Sequence, residues 1–141
     1  MRRIYWDTMI HAYWFEDNDA LSVRVQHIYS TMQQRGDQLC SSVFVLSELL
    51  VGPLKQQNFE AANAIEQFFD STAVTMLPYT RQCVRTFAEL RATHAVKSLD
   101  AMHLAIAASA NVDLFLTHDR RLHKVIMPGL PFIASLDTDL F

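Results

Sequence analysis

The sequence predicts an α/β fold in which a central parallel sheet of about four or five strands is flanked by helices. Short apolar runs of strand length alternate along the chain with segments whose apolar residues recur at helical spacing, and this alternation favours a parallel sheet. The chain has 141 residues, half of them hydrophobic, which is enough for one domain with a substantial core. Since no repeat, low-complexity segment or linker interrupts it, we expect residues 1–141 to form a single domain.

The first half of the chain is predicted to contain two strands and four helices. Asp19 or Ser22 is placed to cap the second helix, Gly36 and Asp37 to end it, and the Gly52-Pro53 pair to close the third. A polar break at residues 16–19 separates the first two helices. The predicted strands are 2–6 and 39–43, and the predicted helices are 8–15 with Thr8 as a possible N-cap, 19 or 22 to about 35, 43–51 and 59–69.

The second half is predicted to continue the alternation. A β-branched stretch at 71–77 is stopped by Pro78, and Thr80 is placed to cap a helix that runs through residue 91. A very apolar helix around Asp100 follows. The last predicted elements are a strand at 113–117, a short helical turn at 120–123 and a strand at 132–134.

Four acidic residues stand out by their positions. Asp100 lies just inside the start of a helix that has almost no polar face, so this helix should be buried and the carboxylate should need a metal ion or a strong donor. Asp7, Glu48 and Asp119 each end a short apolar run. Because ligands bind beyond the carboxyl ends of strands in such sheets, Asp7 and Asp119 should share that edge.

These carboxylates predict a site for a hard divalent cation. Oxygen-only ligands suit Mg²⁺ or Mn²⁺, which activate water and stabilise charge on a phosphodiester in the transition state. Four acids in one pocket repel one another, so at least one should have a raised pKa without metal. Each acid taken alone could equally be a helix cap or a solvated turn residue.

Composition and missing motifs exclude several other classes. With 15 acids against 12 Lys and Arg, the net charge is −3, which argues against a broad basic face for duplex nucleic acid. Three glycines cannot supply a dinucleotide-binding turn or a P-loop, and no Cys/His cluster has zinc spacing. Neither a membrane-spanning run nor a secretory signal is evident, so we expect a cytoplasmic protein in which Cys40 and Cys83 are buried free thiols.

In order, spacing and length, four segments resemble the PIN-domain ribonucleases, and within them the VapC-type toxins of type II toxin–antitoxin pairs. The segments are IYWDT at 4–8, SELLVG at 47–52, DAMHLA at 100–105 and LTHD at 116–119. The resemblance implies a PIN-like α/β domain whose acidic pocket binds Mg²⁺ or Mn²⁺ and cleaves RNA. It also implies a homodimer and inhibition by a small antitoxin protein.

The resemblance allows roles to be expected for the site residues. Asp7 and Asp100 would hold the metal directly or through water, and Asp119 would complete the shell or orient the attacking water. Glu48 would be a ligand through water or the base for that water. Thr117 could hydrogen-bond a neighbouring carboxylate.

Basic and aromatic neighbours have weaker expected roles. Arg120, Arg121 and Lys124 directly follow Asp119 and are the best phosphate candidates. His103 could brace Asp100, although a core histidine with one hydrogen bond is the simpler expectation. The aromatic cluster is expected to be mostly core, with any exposed part available to a dimer or antitoxin surface; its members are Tyr5, Trp6, Tyr13, Trp14 and Phe15.

Two residues depart from the usual family pattern. An aliphatic residue is more usual than Trp6 before the first Asp, and a small polar residue is more usual than His118 before the last. Neither departure removes an acid. The sequence leaves open a non-catalytic binding module of the same fold, and a metal-dependent nuclease or phosphatase with another substrate.

Overall fold

The computed structural model describes residues 1–16 and 19–141, which form five strands, six α-helices and one 3₁₀ helix. The strands are β1 Arg3–Trp6, β2 Gln38–Ser41, β3 Val74–Met76, β4 Leu114–Leu116 and β5 Phe132–Ala134. The helices are α1 Thr8–Glu16, α2 Ala20–Arg35, α3 Val43–Lys55, α4 Phe59–Asp70, α5 Cys83–Thr93 and α6 Ser98–Ser109, and the 3₁₀ helix is Leu122–Lys124. The predicted order of strands and helices is confirmed.

The five strands form one parallel sheet in the order β3-β2-β1-β4-β5, which confirms the predicted fold class. The chain builds outward from β1 through β2 to β3, then returns to place β4 on the other side of β1. Trp6 pairs with Leu116, and the Asp7 amide continues this ladder by donating to the Leu116 carbonyl at 2.9 Å. The order therefore reverses between β1 and β4, and a crevice for ligands is expected beyond their carboxyl ends.

The core lies on both faces of this sheet. Ile4, Tyr5 and Trp6 of β1 are fully buried, as expected for the central strand of a parallel sheet. The predicted burial of the Asp100 helix is confirmed, since six of the twelve residues of α6 are buried. Its buried residues are Ala101, His103, Leu104, Ala105, Ile106 and Ala107.

Helix α3 runs past the Gly52-Pro53 pair that was expected to close it. Inside a helix a proline loses one backbone hydrogen bond and crowds both the carbonyl four residues earlier and the residue just before it, and Gly52 has no Cβ to add to that crowding. The helix instead ends where Gln57 adopts a left-handed conformation with φ 55°, and the Asn58 amide donates to the Pro53 carbonyl at 2.8 Å. The Gly-Pro pair was therefore misread as a stop signal.

Other boundaries differ by a few residues, with local causes. Asp19 caps α2 as predicted, since its Oδ1 accepts from the Ser22 amide at 2.9 Å. Thr80 is not the cap of α5, because it forms a turn whose carbonyl accepts from the Cys83 amide at 2.9 Å. Strand β3 is shorter than predicted, since Ser71 still ends α4. The predicted polar break at 16–19 lies partly outside the described residues, since it includes 17 and 18.

Two further expectations concern the whole fold. Over the described part of the chain, no helix combines the length and apolar character that crossing a membrane requires. Cys40 and Cys83 are both buried and free, as expected.

Candidate active site

All four predicted acids line one open cleft of about 580 Å³, which we call the acidic cleft. Asp7 directly follows β1, Asp119 lies three residues beyond β4, Glu48 comes from α3, and Asp100 lies in the first turn of α6. The cleft therefore lies at the sheet edge where the strand order reverses. Residues separated by 41, 52 and 19 positions in sequence are brought to one place by the fold.

The Asp7 carboxylate is fixed on both of its oxygens. Its Oδ1 accepts from the Thr8 amide at 2.8 Å, and its Oδ2 accepts from the Thr117 hydroxyl at 2.8 Å. Asp7 and Thr117 are both buried. The predicted contact between Thr117 and a neighbouring carboxylate is present, and it aims Asp7 at the cleft without leaving its oxygens free to turn.

Asp100 is in the opposite situation, because its carboxylate has no hydrogen bond to any described residue. Burial raises the pKa of this carboxyl, and the negative charges of Asp7, Asp119 and Glu48 raise it further, while His103 lowers it. The predicted raised pKa is thus found at Asp100. A positive charge placed beside Asp100 would relieve both effects.

Glu48 is held by hydrogen-bond donors from two other helices. Its Oε1 accepts from the Thr8 hydroxyl at 2.7 Å and from His103 Nε2 at 2.8 Å. Partial burial raises the pKa of Glu48, but the hydrogen bonds from His103 and Thr8 outweigh it, so the pKa lies below its ordinary value. His103 was considered as a brace for Asp100, but its ring contacts Glu48 instead. With its second contact, to the Tyr5 hydroxyl, it makes two hydrogen bonds rather than the one expected.

Asp119 is paired with a guanidinium group inside the cleft. Arg121 donates from Nε to Oδ1 at 3.1 Å and from Nη2 to Oδ2 at 2.9 Å, and its amide also donates to Oδ1 at 3.0 Å. These hydrogen bonds from Arg121 lower the pKa of Asp119. Of the three predicted phosphate residues, only Arg121 lines the cleft, whereas Arg120 and Lys124 are exposed outside it.

Several residues that line the acidic cleft were not singled out from the sequence as site residues. Lys97 and Ser98 stand at the start of α6, and their closeness to Asp100 at a helix start was the signal that could have found them. Tyr13 and His118 face each other edge to ring at 6.0 Å. The remaining residues of the lining, beyond the four acids and Arg121, are Thr8, Met9 and Leu99.

The donor set of the cleft fits a hard divalent cation in kind. Its acidic groups are all carboxylates, and the unpartnered Asp100 has the raised pKa of a group that lacks a counter-ion. In the described part of the chain, however, no three Asp, Glu, His or Cys side chains stand in a metal-binding arrangement as they are placed. A cation held by three of these carboxylates would need side-chain movement, and it would compete with Arg121 for Asp119.

This pairing leads to a prediction for Arg121→Gln. Because the guanidinium and a divalent cation would compete for the same carboxylate, the variant should bind Mn²⁺ about two- to fivefold more tightly at low salt, the range of an exposed ion pair. The arginine side chain is 69 % exposed, so added salt should shrink the difference. Calorimetric titration measures the effect.

The matched control is Arg120→Gln, which removes the same charge one residue away from an exposed side chain. It should change Mn²⁺ affinity less than Arg121→Gln does. Equal affinities in the two variants would show that the loss of one positive charge from this part of the protein, and not the loss of the contact with Asp119, changes Mn²⁺ binding.

Comparison with known families assigns the chain to one of them. The PIN-domain family matches residues 4–126, which include all four acids of the cleft, and the chain belongs to this family. The family resemblance inferred from the four short segments is thereby confirmed. A comparison with curated proteins finds no match.

Solved structures of low sequence identity share the fold. The DNA-bound VapBC of Salmonella typhimurium matches with TM-score 0.74 and 20% identity over 96% of this chain and 99% of that one. VapBC2 of Rickettsia felis, bound to a promoter DNA fragment, gives 0.72 and 16% over 94% and 98%. VapC20 of Mycobacterium tuberculosis, a sarcin-ricin loop cleaving toxin, gives 0.67 and 19% over 79% and 86%.

Proposed function

We propose that this PIN-domain protein is a divalent-metal-dependent endoribonuclease that acts as the toxin of a type II toxin–antitoxin pair. The observation that carries the proposal is the convergence of Asp7, Glu48, Asp100 and Asp119, from four separate segments, on one cleft at the switch point of the sheet. Four acids crowded together destabilise an apo cleft, so the arrangement is better explained by a ligand than by the fold.

In this proposal Asp7, Asp100 and Asp119 hold the cation, which is Mg²⁺ or Mn²⁺. Asp7 is already oriented by Thr117, Asp100 has no competing partner among the described residues, and Asp119 becomes available when Arg121 leaves it. When bound, the metal would supply the nucleophilic water and neutralise charge on the phosphate.

Glu48 is assigned to the attacking water. Its lowered pKa keeps it ionised at neutral pH, so it can accept a hydrogen bond from water and set the direction of attack. The same lowered pKa makes it a weak base. We therefore assign Glu48 an orienting role, with the metal providing most of the activation of the water.

The RNA would be held by cationic side chains on one side of the cleft. Arg121, once released from Asp119, is placed to contact the phosphate, with Arg120 and Lys124 as flanking candidates outside the cleft. The net charge of −3 suits recognition of an exposed RNA loop by a narrow cleft better than recognition of a duplex by a broad face. VapC20 of Mycobacterium tuberculosis, a toxin that cleaves the sarcin-ricin loop, acts on a substrate of this kind.

The partner protein follows from a further structure of the same fold. A structure from Klebsiella pneumoniae that shares the fold is a toxin–antitoxin complex, so we propose a small antitoxin protein as the partner of this chain. We also propose that two copies pair as a homodimer and that the toxin acts in the cytoplasm.

Expression in a bacterial host tests the proposal. The unmodified chain should halt growth, and co-expression of the protein encoded by a neighbouring small reading frame should restore it. The Asp100→Asn chain, expressed at the same level, should allow normal growth because the cleft has lost its unpartnered carboxylate. Growth arrest by Asp100→Asn equal to that of the parent would replace catalysis with binding as the basis of the function.

A further inference from the structure

A chain of hydrogen bonds runs from the protein interior to the acidic cleft. The Tyr5 hydroxyl contacts Ser42 Oγ at 2.8 Å and His103 Nδ1 at 2.8 Å, and His103 Nε2 contacts Glu48 Oε1 at 2.8 Å. We call Ser42, Tyr5, His103 and Glu48 the Glu48 relay. It joins β1, α3 with the residue before it, and the middle of α6.

The inner members of the relay are sealed from water. Tyr5 and Ser42 are fully buried and His103 is 1% exposed, while Glu48 alone reaches the cleft. The Tyr5 ring is stacked on Phe115 with ring centroids 5.3 Å apart, so its hydroxyl has little freedom to move. At neutral pH a phenol hydroxyl carries its proton, so the Tyr5 hydroxyl has one to donate.

The direction of each hydrogen bond follows from the Glu48 end. An ionised carboxylate can only accept, so His103 Nε2 must carry a proton. In a neutral imidazole Nδ1 is then bare and must accept, and the Tyr5 hydroxyl donates to it. The phenol oxygen can in turn accept from the Ser42 hydroxyl. With a neutral imidazole, this arrangement gives every buried polar atom of the relay a partner.

The Glu48 carboxylate by itself requires the proton on Nε2, because the other tautomer would point a lone pair at it. The Tyr5 hydroxyl adds a donor to the buried Nδ1, so that the imidazole ring is held on both sides. An outer hydrogen bond to the far nitrogen is a common way to orient a histidine that contacts a functional group.

We propose that Tyr5 and His103 are positioning residues of the acidic cleft: His103 carries its proton on Nε2, Tyr5 donates to its bare Nδ1 and fixes the ring, and His103 holds the Glu48 carboxylate in one orientation. The tautomer part stands on the contacts alone. The consequence for cleavage rests on the proposed function.

Nitrogen-15 NMR of the imidazole rings in the full chain, at neutral pH, tests the tautomer part. In the parent protein His103 should show a protonated Nε2 and a bare Nδ1, with two widely separated nitrogen shifts. Tyr5→Phe keeps the ring but removes the donor to Nδ1, so the Nδ1 shift should move while Nε2 stays protonated.

The control is Tyr29→Phe, which deletes a hydroxyl that makes no hydrogen bond to any described residue, and the His103 shifts should not change. The amide spectrum checks that each variant is folded, and the parent measurement needs no variant. A proton on Nδ1 or on both nitrogens in the parent, or identical His103 shifts in Tyr5→Phe, would overturn the proposal.

Cleavage kinetics test the second part. His103→Leu removes the donor to Glu48 and should lower kcat about 10- to 100-fold with little change in KM, the range for loss of an outer hydrogen-bond partner. His103→Gln keeps an N–H donor at the Nε2 end and should recover most of that loss. If His103→Leu keeps the parent kcat, the positioning role is wrong. If the parent itself cleaves no RNA, the proposed function fails while the NMR result still decides the tautomer.

Discussion

Replacing Asp100 by Asn is expected to lower the rate of RNA cleavage by a factor on the order of 10²–10⁴. Asp100 has no hydrogen bond to any described residue, and its pKa is raised by burial and by the other acids, so its charge is available only to a cation. The amide keeps the shape of the side chain but removes that charge. Initial rates on structured transfer and ribosomal RNAs in Mn²⁺ measure the effect.

Three companion variants sharpen this prediction. Asp7→Asn should lose a similar share of the rate, and the double variant should lose little more, because groups that act as one unit are not additive. Asp137→Asn, at an exposed position, should be nearly silent. Without metal, the Asp100→Asn protein should melt at least as high as the parent, since it removes a repelled carboxylate. A rate loss accompanied by a lower melting temperature would indicate unfolding instead.

Acidification is expected to destabilise the protein through His11. This side chain is fully buried between the rings of Trp6 and Phe69, at 5.1 and 5.0 Å, and neither ring nitrogen has a partner among the described residues. Burial lowers the pKa of His11 from 6.5 to about 3, with a smaller contribution from His103.

The direction of this change in stability follows from proton uptake by the unfolded chain. Below pH 6.5 the unfolded chain protonates His11 but the folded chain does not, so stability is full above that pH and falls as the pH approaches 3. At about two pH units below 6.5, this one residue lowers the free energy of unfolding by about 2–3 kcal/mol. Thermal melting at neutral and acidic pH, compared between the parent and His11→Phe, isolates it.

His11→Phe should lose less stability on acidification than the parent, since phenylalanine fills the same apolar site and takes up no proton. His27→Gln, at an exposed position of α2, is the control and should keep the parent's pH dependence. An identical acid sensitivity in the parent and in His11→Phe would contradict the assignment.

The acids of the site could be found from the sequence because their signals are local. Asp7 and Asp119 follow strand-like runs, and Asp100 interrupts a helix that is otherwise apolar, so each position carries a physical cost that shows in one segment. The parallel sheet follows from the alternation of strands and helices. What these segments have in common is a side chain that does not fit its own neighbours.

The partners of those acids could not be found in the same way. The contacts Tyr5–His103, His103–Glu48 and Thr8–Glu48 join residues 98, 55 and 40 positions apart, and only the fold brings them together. The Asp119–Arg121 pair is local, but a guanidinium beside a carboxylate and a guanidinium directed at phosphate look the same in a sequence. The end of α3 was mispredicted because the Gly52-Pro53 pair lies inside the helix, which ends instead before the left-handed Gln57.

The most direct test of the central claim is endonucleolytic cleavage by the purified parent chain, followed on structured RNAs in Mn²⁺, after EDTA, and after Mn²⁺ is restored. If the acidic cleft is a metal-dependent ribonuclease site, discrete internal cuts should form, stop with EDTA and resume with the metal, and Asp100→Asn should form none. Cutting that continues in EDTA, or that persists in Asp100→Asn, would contradict the account.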